Sequence, residues 1–178
     1  MTDKTLSIGV AGASGLTGGE VCRLLLTHPA VAEIVPASRG TTPFEQSHPN
    51  MLGSNLSFVT PDELLANAGK LDAVFLCTPS GEAMQTAQTY LDAGAKVVDL
   101  GPDFRFPDAA LYQTVYDRPH TSPELLSEAV YGVSEFSRDA VSNARLIANP
   151  GCYAITTLLS VVFAPRARTV TAIFTTGL

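Results

Sequence analysis

The sequence predicts an α/β fold built on a doubly wound parallel sheet, and three observations support this prediction. Short apolar runs, typical of strands buried on both faces of a parallel sheet, recur along the chain. Helical patterns separate these runs, and this alternation implies right-handed crossovers between parallel strands. A glycine-rich turn joins the first run to the first helical pattern. A turn in that position is typical of a dinucleotide-binding loop.

The glycine-rich turn follows the predicted strand Leu6 to Ala11 and precedes a helical pattern that ends at Leu26. Its glycines allow a tight turn and let backbone N–H groups approach a pyrophosphate at the helix N-terminus. The residues that we expect to contact the cofactor here are Gly12, Ser14, Gly15, Leu16 and Thr17. The spacing G-x-x-G-x-x-G differs from the more common G-x-G-x-x-G, so a strand-to-helix turn that binds nothing is the alternative.

The later elements follow from apolar runs, proline and glycine. We expect strands over Val31 to Ala37, Asp72 to Cys77, Ala95 to Leu100 and Arg145 to Ala148, and helices over Pro61 to Ala68, Gly81 to Ala93 and Ile155 to Phe163. Residues 41–55 are rich in Pro, Ser, Asn and Gly and predict a long loop. We expect His48 in this loop to be solvated. Residues 109–142 show a mixed pattern with helical turns.

The end of the second strand predicts which nicotinamide cofactor binds. No acidic residue follows this strand to accept a hydrogen bond from a ribose 2′-hydroxyl, whereas Ser38 and Arg39 suit a 2′-phosphate. The sequence therefore predicts NADP(H), with Ser38 and Arg39 on the phosphate. A solvated loop arginine is the alternative.

The next two strands also deliver polar residues to the carboxyl edge of the sheet, where such folds bind ligands. Thr78 and Pro79 follow the third strand and are expected to contact the cofactor. Asp103 and Arg105 follow the fourth. A guanidinium matches a carboxylate or phosphate, so Arg105 is a candidate substrate anchor. A local ion pair between Asp103 and Arg105 is the alternative.

Composition narrows the function classes. The chain has 178 residues, of which 46% are hydrophobic and 16% charged, as in an ordinary globular domain. Its net charge of -6 argues against a nucleic-acid surface. No apolar run approaches the ~20 residues of a membrane span, and the first residues do not resemble a signal peptide. We therefore expect a cytoplasmic protein, without nucleic-acid or membrane partners.

The 3 cysteines are widely spaced and form no C-x-x-C pair, which disfavours a zinc site or a disulfide framework, so no metal is expected. Cys22 and Cys77 fall in apolar patterns and are expected to be buried. Cys152 follows a Pro-Gly turn and precedes the apolar helical run Ile155 to Phe163, a position in the first turn of a helix. Free N–H groups at a helix N-terminus stabilise a thiolate, so Cys152 is the predicted nucleophile, with acyl chemistry through a thioester. A structural cysteine is the alternative.

Four motifs in this order resemble the N-acetyl-gamma-glutamyl-phosphate reductase family, which belongs to the semialdehyde dehydrogenase group. They are the glycine-rich turn, D-L-G-P-D-F-R at 99–105, Y-G-V-S-E at 131–135 and N-P-G-C-Y at 149–153. The aspartate-semialdehyde dehydrogenases have a related layout with a different cysteine neighbourhood. Gly101, Pro102 and Ser134 depart from the residues that are usual in the reductase family.

The resemblance implies a Rossmann-like NADP-binding domain and an enzyme of arginine biosynthesis. Cys152 would attack the acyl phosphate N-acetylglutamyl 5-phosphate and expel phosphate, and a hydride from NADPH would release N-acetylglutamate 5-semialdehyde. Arg105 and Asn149 would contact the substrate. Family members form homo-oligomers through a second domain, which also supplies a catalytic histidine.

The resemblance also suggests how the chain divides. Residues 1–149 would form the NADP-binding domain, and residues 150–178 the truncated start of the catalytic and oligomerisation domain. Thr169 to Leu178 resembles the first strand of that second domain. None of His28, His48 and His120 matches the family histidine. A non-catalytic NADP-binding fragment and a related acyl-phosphate reductase remain the alternatives.

Overall fold

The computed structural model describes residues 5–163, and its single six-stranded sheet is parallel at every strand pair. The strands are β1 (Leu6–Ala11), β2 (Val31–Ala37), β3 (Ala73–Leu76), β4 (Lys96–Asp99), β5 (Val130–Tyr131) and β6 (Leu146–Ala148). The helices are α1 (Leu16–Leu26), α2 (Phe44–Ser47), α3 (Pro61–Ala66), α4 (Ala83–Asp92), α5 (Ala109–Tyr116), α6 (Ser134–Asn143) and α7 (Cys152–Phe163). The predicted fold class is confirmed.

The strand order β2-β1-β3-β4-β6-β5 places a topological switch point at β1. The chain leaves β1 to form β2 on one side and then returns to form β3 on the other. The two connections therefore diverge at the carboxyl end of β1 and leave a crevice there. Ligands of open α/β sheets bind in such crevices, so the topology selects this end of β1 as the candidate site.

Helices cover both faces of the sheet, as consecutive residues of β1 show. Val10 and Ala11 point to opposite faces because side chains alternate along a strand. Val10 belongs to a small apolar cluster with Cys22 of α1, whereas Ala11 belongs to a larger one with Leu64 of α3 and Tyr90 of α4. Because both faces are packed, the strand ends have fixed positions relative to one another.

The predicted loop over residues 41–55 is more ordered than expected. It contains the short helix α2 and a 3-10 turn over Pro49–Met51. Phe44 and Met51 are only 2% and 5% exposed and join the small cluster beside α1. Two widely spaced apolar residues give no periodic pattern in the sequence, so only tertiary packing reveals that the segment folds back on α1.

One further helix was not expected from the sequence. α6 was not predicted as a helix, and none of its residues is buried. β6 is the last strand along the described part of the chain, and it lies in the sheet between β4 and β5. The predicted strand over residues 169–178 lies outside the described residues.

Candidate functional site

The turn between β1 and α1 requires glycine at two positions because the backbone passes close to itself there. Gly12 has φ +73°, and a Cβ on it would lie 2.3 Å from the Cys77 carbonyl oxygen. A Cβ on Gly18 would lie 2.5 Å from the Gly12 carbonyl oxygen. Neither glycine can gain a side chain unless the backbone moves. The first turns of α1 therefore pack directly on the loop.

Gly15 is different, because packing within the chain does not require a glycine there. A Cβ on it would meet only the Gly12 carbonyl oxygen, at 3.5 Å, an ordinary contact. Gly15 is the N-cap of α1, and among the described residues no side chain caps this helix. Its first N–H groups are therefore available to an anion, and the positive end of the helix dipole favours one. The neighbouring Ser14, Leu16 and Thr17 are exposed.

A cavity of about 550 Å³ lies beside this turn, at the switch point. Among its lining residues are six of those predicted to contact the cofactor: Gly12, Ser14, Ser38, Arg39, Thr78 and Pro79. Three predicted residues begin α1 and do not line it: Gly15, Leu16 and Thr17. The hydroxyl oxygens of Ser38 and Ser14 lie 3.0 Å apart, and the Gly40 N–H donates to the Ser38 hydroxyl at 3.1 Å. The structure thus brings the ends of β1, β2 and β3 to one cavity whose size suits a small-molecule ligand.

The cavity contains an ion pair that was not predicted from the sequence. The Arg39 guanidinium pairs with the Glu82 carboxylate, with Nη1 and Oε1 3.2 Å apart. Asp62, at the start of α3, lines the same cavity. Glu82 and Arg39 are far apart in sequence and belong to different crossovers, so no local pattern predicts their contact.

His48 is buried, so the prediction of a solvated side chain is wrong. Its Nε2 lies 2.7 Å from the Ala13 carbonyl oxygen, within the glycine-rich turn. The ring also fills the space over Gly19, where a Cβ would lie 2.3 Å from a ring carbon. Phe44 and Phe58 pack around the imidazole with ring centroids 5.0 and 6.4 Å away. His48 therefore braces the turn from behind, and the aromatic residues near it were the available sequence signal.

Asp103 and Arg105 do not pair with each other in the part of the chain that the structure describes. The buried Asp103 carboxylate accepts hydrogen bonds from the N–H groups of Gly81 and Met84 and from the Tyr112 hydroxyl. These donors lie at the N-terminus of α4 and on α5. Asp103 therefore anchors α4, and its carboxylate is not available to a substrate.

Arg105 connects the loop after β4 to the loop after β6. Its Nε donates to the Asn149 carbonyl oxygen at 2.9 Å, and its Nη2 donates to the Leu100 carbonyl oxygen at 3.0 Å. Its Nη1 lies beside Gly151, where a Cβ would be 3.2 Å away. The guanidinium therefore lies against the segment that leads to Cys152.

Asp99 is a fully buried carboxyl group at the carboxyl end of β4. Its Oδ1 accepts a hydrogen bond from the Gly101 N–H at 2.8 Å, whereas its Oδ2 has no partner among the described residues. Burial raises the pKa of Asp99 to about 7, against opposing hydrogen bonds. Thr78 Oγ1, two residues after the neighbouring β3, is also buried and finds no hydrogen-bond partner in residues 5–163.

Cys152 begins α7 and is exposed. Cys22 is buried and Cys77 is partly buried, and burial raises the pKa of each of these thiols to about 12. Of the three thiols, Cys152 is therefore the most exposed to solvent. A cavity of about 210 Å³ lies among the neighbouring segments and is lined by Gly132, Ser134, Glu135, Asn149, Pro150 and Ile155, whereas Cys152 itself does not line it. The two predicted substrate contacts, Arg105 and Asn149, are both in this region.

The 3 histidines of the sequence bond to main-chain groups. His28 Nδ1 accepts from the Ala30 N–H, His48 bonds the turn as described, and His120 Nε2 lies 2.9 Å from the Asp103 carbonyl oxygen. No imidazole pairs with the Cys152 thiol within residues 5–163. In the same range no cluster of three His, Cys, Asp or Glu side chains could hold a metal ion.

Comparisons with known sequences identify relatives of this chain. The family model described as semialdehyde dehydrogenase, NAD binding domain, matches residues 7–144. The N-acetyl-gamma-glutamyl-phosphate reductase of Acidithiobacillus ferrooxidans is 44% identical over 154 residues, which is 85% of this chain and 44% of that protein. The protein of the same name from Bordetella bronchiseptica is 42% identical over 161 residues, or 89% of this chain and 45% of that protein. The chain thus spans less than half the length of these relatives.

Solved structures share the fold at low sequence identity. Aspartate semialdehyde dehydrogenase II from Vibrio cholerae has a TM-score of 0.65 at 18% identity, covering 88% of this chain and 41% of that one. Aspartate semialdehyde dehydrogenase with NADP from Candida albicans has a TM-score of 0.51 at 16% identity, covering 90% of this chain and 48% of that one. Among the described helices, none has the length and apolar character needed to cross a bilayer. The strand order, the glycine-rich turn and the family match lead to one conclusion: the chain belongs to the semialdehyde dehydrogenase NAD-binding domain family.

Proposed function

We propose that this chain is the cofactor-binding and nucleophile-bearing part of an NADP-dependent N-acetyl-gamma-glutamyl-phosphate reductase. The reaction is the reduction of N-acetylglutamyl 5-phosphate to N-acetylglutamate 5-semialdehyde and phosphate, a step of arginine biosynthesis. Relatives of that name at 42–44% identity support the substrate class. Residues 1–149 supply the cofactor site in this proposal, and Cys152 begins the catalytic part, residues 150–178.

One observation carries the proposal: an exposed cysteine at a helix N-terminus shares the carboxyl edge of the sheet with the glycine-rich turn. Cys152 follows β6, and the turn follows β1. β6 is three strands from β1 in the sheet, or about 14 Å at the usual strand spacing. A dinucleotide lying along the edge spans that distance, so both groups can serve one reaction.

The cavity at the switch point has the chemistry that a nicotinamide dinucleotide requires. The tight turn at Gly12 and the uncapped N-terminus of α1 suit the pyrophosphate. The hydroxyls of Ser14 and Ser38 and the guanidinium of Arg39 suit a 2′-phosphate, which needs donors and positive charge. This donor set, and the lack of an acidic residue directly after β2, supports NADP(H) over NAD(H).

The Cys152 side chain performs the covalent step. Its sulfur bonds to the acyl carbon while the bond to the phosphate oxygen breaks, which releases phosphate and leaves a thioester. The attacking sulfur is carried by the first residue of α7, next to the N–H groups that begin this helix. A reduced nicotinamide, when bound, supplies the hydride that converts the thioester to the aldehyde. Departure of the aldehyde returns the thiol.

Arg105 and Asn149 are the proposed substrate contacts. Arg105 Nη1 makes no hydrogen bond to the described residues, whereas its other two nitrogens bond to main-chain carbonyls. This leaves one guanidinium nitrogen for an anionic group of the substrate, in an orientation that the other two bonds hold. Asn149 lines the 210 Å³ cavity and lies three residues before Cys152 in the chain.

A second candidate function is cofactor binding without turnover by these residues alone. The positions of the histidines favour it, because all three bond to main-chain groups and none pairs with Cys152. General-base assistance contributes ~10²–10⁴-fold to such reactions, so its lack would leave little activity. The family homo-oligomer and the reductase reaction would then both require further residues.

The test is phosphate-dependent reduction of NADP⁺ by N-acetylglutamate 5-semialdehyde on this 178-residue chain, with NADP⁺ binding measured in the same samples. Cys152→Ser is the informative variant and Cys22→Ala the matched control. Aspartate 4-semialdehyde is offered in parallel as the substrate of the related dehydrogenases.

Turnover that disappears in Cys152→Ser and persists in Cys22→Ala supports the proposed reductase. NADP⁺ binding without turnover supports the second candidate. Faster turnover of aspartate 4-semialdehyde, or a chain that binds neither nicotinamide cofactor, would contradict the proposal.

A further inference from the structure

A carboxylate side chain of the protein lies at the proposed 2′-phosphate site. Arg39 follows β2 and Glu82 precedes α4, so the two residues approach from opposite sides of the switch-point cavity. Their side chains pair at 3.2 Å and are 69% and 37% exposed. The guanidinium that we assign to the 2′-phosphate is therefore engaged by a carboxylate before any ligand arrives.

The Glu82 carboxylate is free to make this contact because another residue caps α4. Glu82 occupies the N-cap position of that helix, but its side chain makes no capping hydrogen bond. The buried Asp103 carboxylate accepts from the N–H groups of Gly81 and Met84 in its place. The Glu82 carboxylate is therefore not used in capping and pairs with Arg39.

The two nicotinamide cofactors meet this ion pair differently. NADP(H) brings a 2′-phosphate with a charge of about −1.5 to −2 near neutral pH, by analogy with other phosphate monoesters. That group must share the guanidinium with Glu82 or displace the Glu82 carboxylate from it, and in either case it lies near a carboxylate of the same sign. NAD(H) brings a neutral hydroxyl and leaves the pair intact. The pair therefore weakens NADP(H) binding and leaves NAD(H) binding unchanged.

We propose that Glu82 is a specificity-determining residue that competes with the 2′-phosphate of NADP(H) for Arg39. The inference rests on the proposed NADP(H) site and adds a group that reduces its preference over NAD(H). An exposed ion pair is worth up to about 1 kcal/mol, which corresponds to about fivefold in affinity. Glu82→Gln should therefore tighten NADPH binding by about fivefold and change NADH binding little.

The experiment measures dissociation constants of NADPH and NADH for the full chain from the fluorescence of the reduced nicotinamide. The sequence contains 0 Trp, so protein fluorescence interferes little. The variants are Glu82→Gln, Arg39→Ala and the double variant. Asp62→Asn is the matched control, because it removes a carboxylate from the same cavity, and no ion pair joins Asp62 to Arg39 in the described structure.

The inference is supported if Glu82→Gln tightens NADPH selectively, Asp62→Asn does so much less, and the gain disappears when Arg39 is alanine. It is overturned if Arg39→Ala weakens NADPH selectively while Glu82→Gln has no effect, or if the gain persists without Arg39. The inference is also overturned if Asp62→Asn tightens NADPH binding equally, because the overall negative charge of the cavity, and not the pair with Arg39, would then explain the effect. If Arg39→Ala weakens NADPH and NADH equally, the 2′-phosphate assignment fails, and the inference fails with it.

Discussion

The buried carboxyl group of Asp99 should make the stability of this protein fall as the pH rises toward neutrality. Asp99 is 0% exposed, and burial raises its pKa from 3.8 to about 7. The folded state therefore binds a proton more tightly than the unfolded state. A group of this kind contributes stability that is fully present below pH 3.8 and is lost as the pH rises through about 7.

The size of the effect follows from the shift in the Asp99 pKa. A difference of about 3 units at ~1.36 kcal/mol per unit gives a total of about 4 kcal/mol. Of this, about 3 kcal/mol falls between pH 5 and pH 8, where both states can be measured without strong acid. Asp99→Asn keeps an oxygen for the Gly101 N–H and removes the charge. It should be more stable than the wild type at pH 8 by a margin that shrinks by about 3 kcal/mol at pH 5.

The assay is urea unfolding followed by far-ultraviolet circular dichroism at several pH values. All other groups titrate in both proteins, so the difference between the two free energies of unfolding isolates Asp99. Asp99→Ala is the control. Its difference from the wild type should depend on pH in the same way, but it should be less stable than Asp99→Asn at every pH because the Gly101 N–H loses its acceptor. A stability difference between Asp99→Asn and wild type that does not change with pH would refute the reasoning.

Three further predictions concern the backbone turn, the exposed thiol and the anchor of α4. Gly12→Ala should destabilise the protein by ~3 kcal/mol or more, because it combines positive φ with a clash 2.3 Å from a main-chain carbonyl oxygen. Gly53→Ala, with φ +84° and open space around it, should cost only ~1 kcal/mol, and equal losses in urea unfolding would contradict the packing argument. Cys152 should react with iodoacetamide faster than Cys22 or Cys77 near neutral pH, because it is the exposed thiol. Mass spectrometry of partly alkylated protein measures the three rates, and comparable rates would contradict the prediction. Asp103→Ala should lower the free energy of unfolding by ~3 kcal/mol, because it leaves buried donors without an acceptor. Asp108→Ala, at the exposed N-cap of α5, should lower it by ~1 kcal/mol. Similar shifts in melting temperature for the two variants would show that the burial of Asp103 does not matter.

Much of the fold could be predicted from the sequence because local patterns determine it. The second strand occupies Val31–Ala37 as predicted, and the first helix ends at Leu26. Apolar runs and glycine positions carry this information within a few residues of one another. The glycine-rich turn could be located for the same reason, since Gly12 must adopt positive φ between a strand and a helix.

The candidate site could be predicted only in part. Parallel strands end at the same edge of the sheet, so the meeting of Ser38 and Thr78 at one cavity follows from topology. The roles of Asp103 and Arg105 do not follow from topology. Asp103 accepts a hydrogen bond from Gly81 and Arg105 donates one to Asn149, and both partners are distant in sequence. The spacing of the two residues is compatible with both a substrate anchor and a local ion pair.

What the sequence determined by itself is the class of fold, the position of the glycine-rich turn and the presence of a helix after the Pro-Gly turn, although that helix begins at Cys152 and not at Ile155. These depend on short-range preferences of the backbone and on the spacing of apolar residues. What only the tertiary structure decided is which side chains meet across crossovers: His48 behind the turn, Glu82 on Arg39 and Arg105 beside Gly151. These contacts join residues that are brought together only when both faces of the sheet are packed, and no local pattern records them.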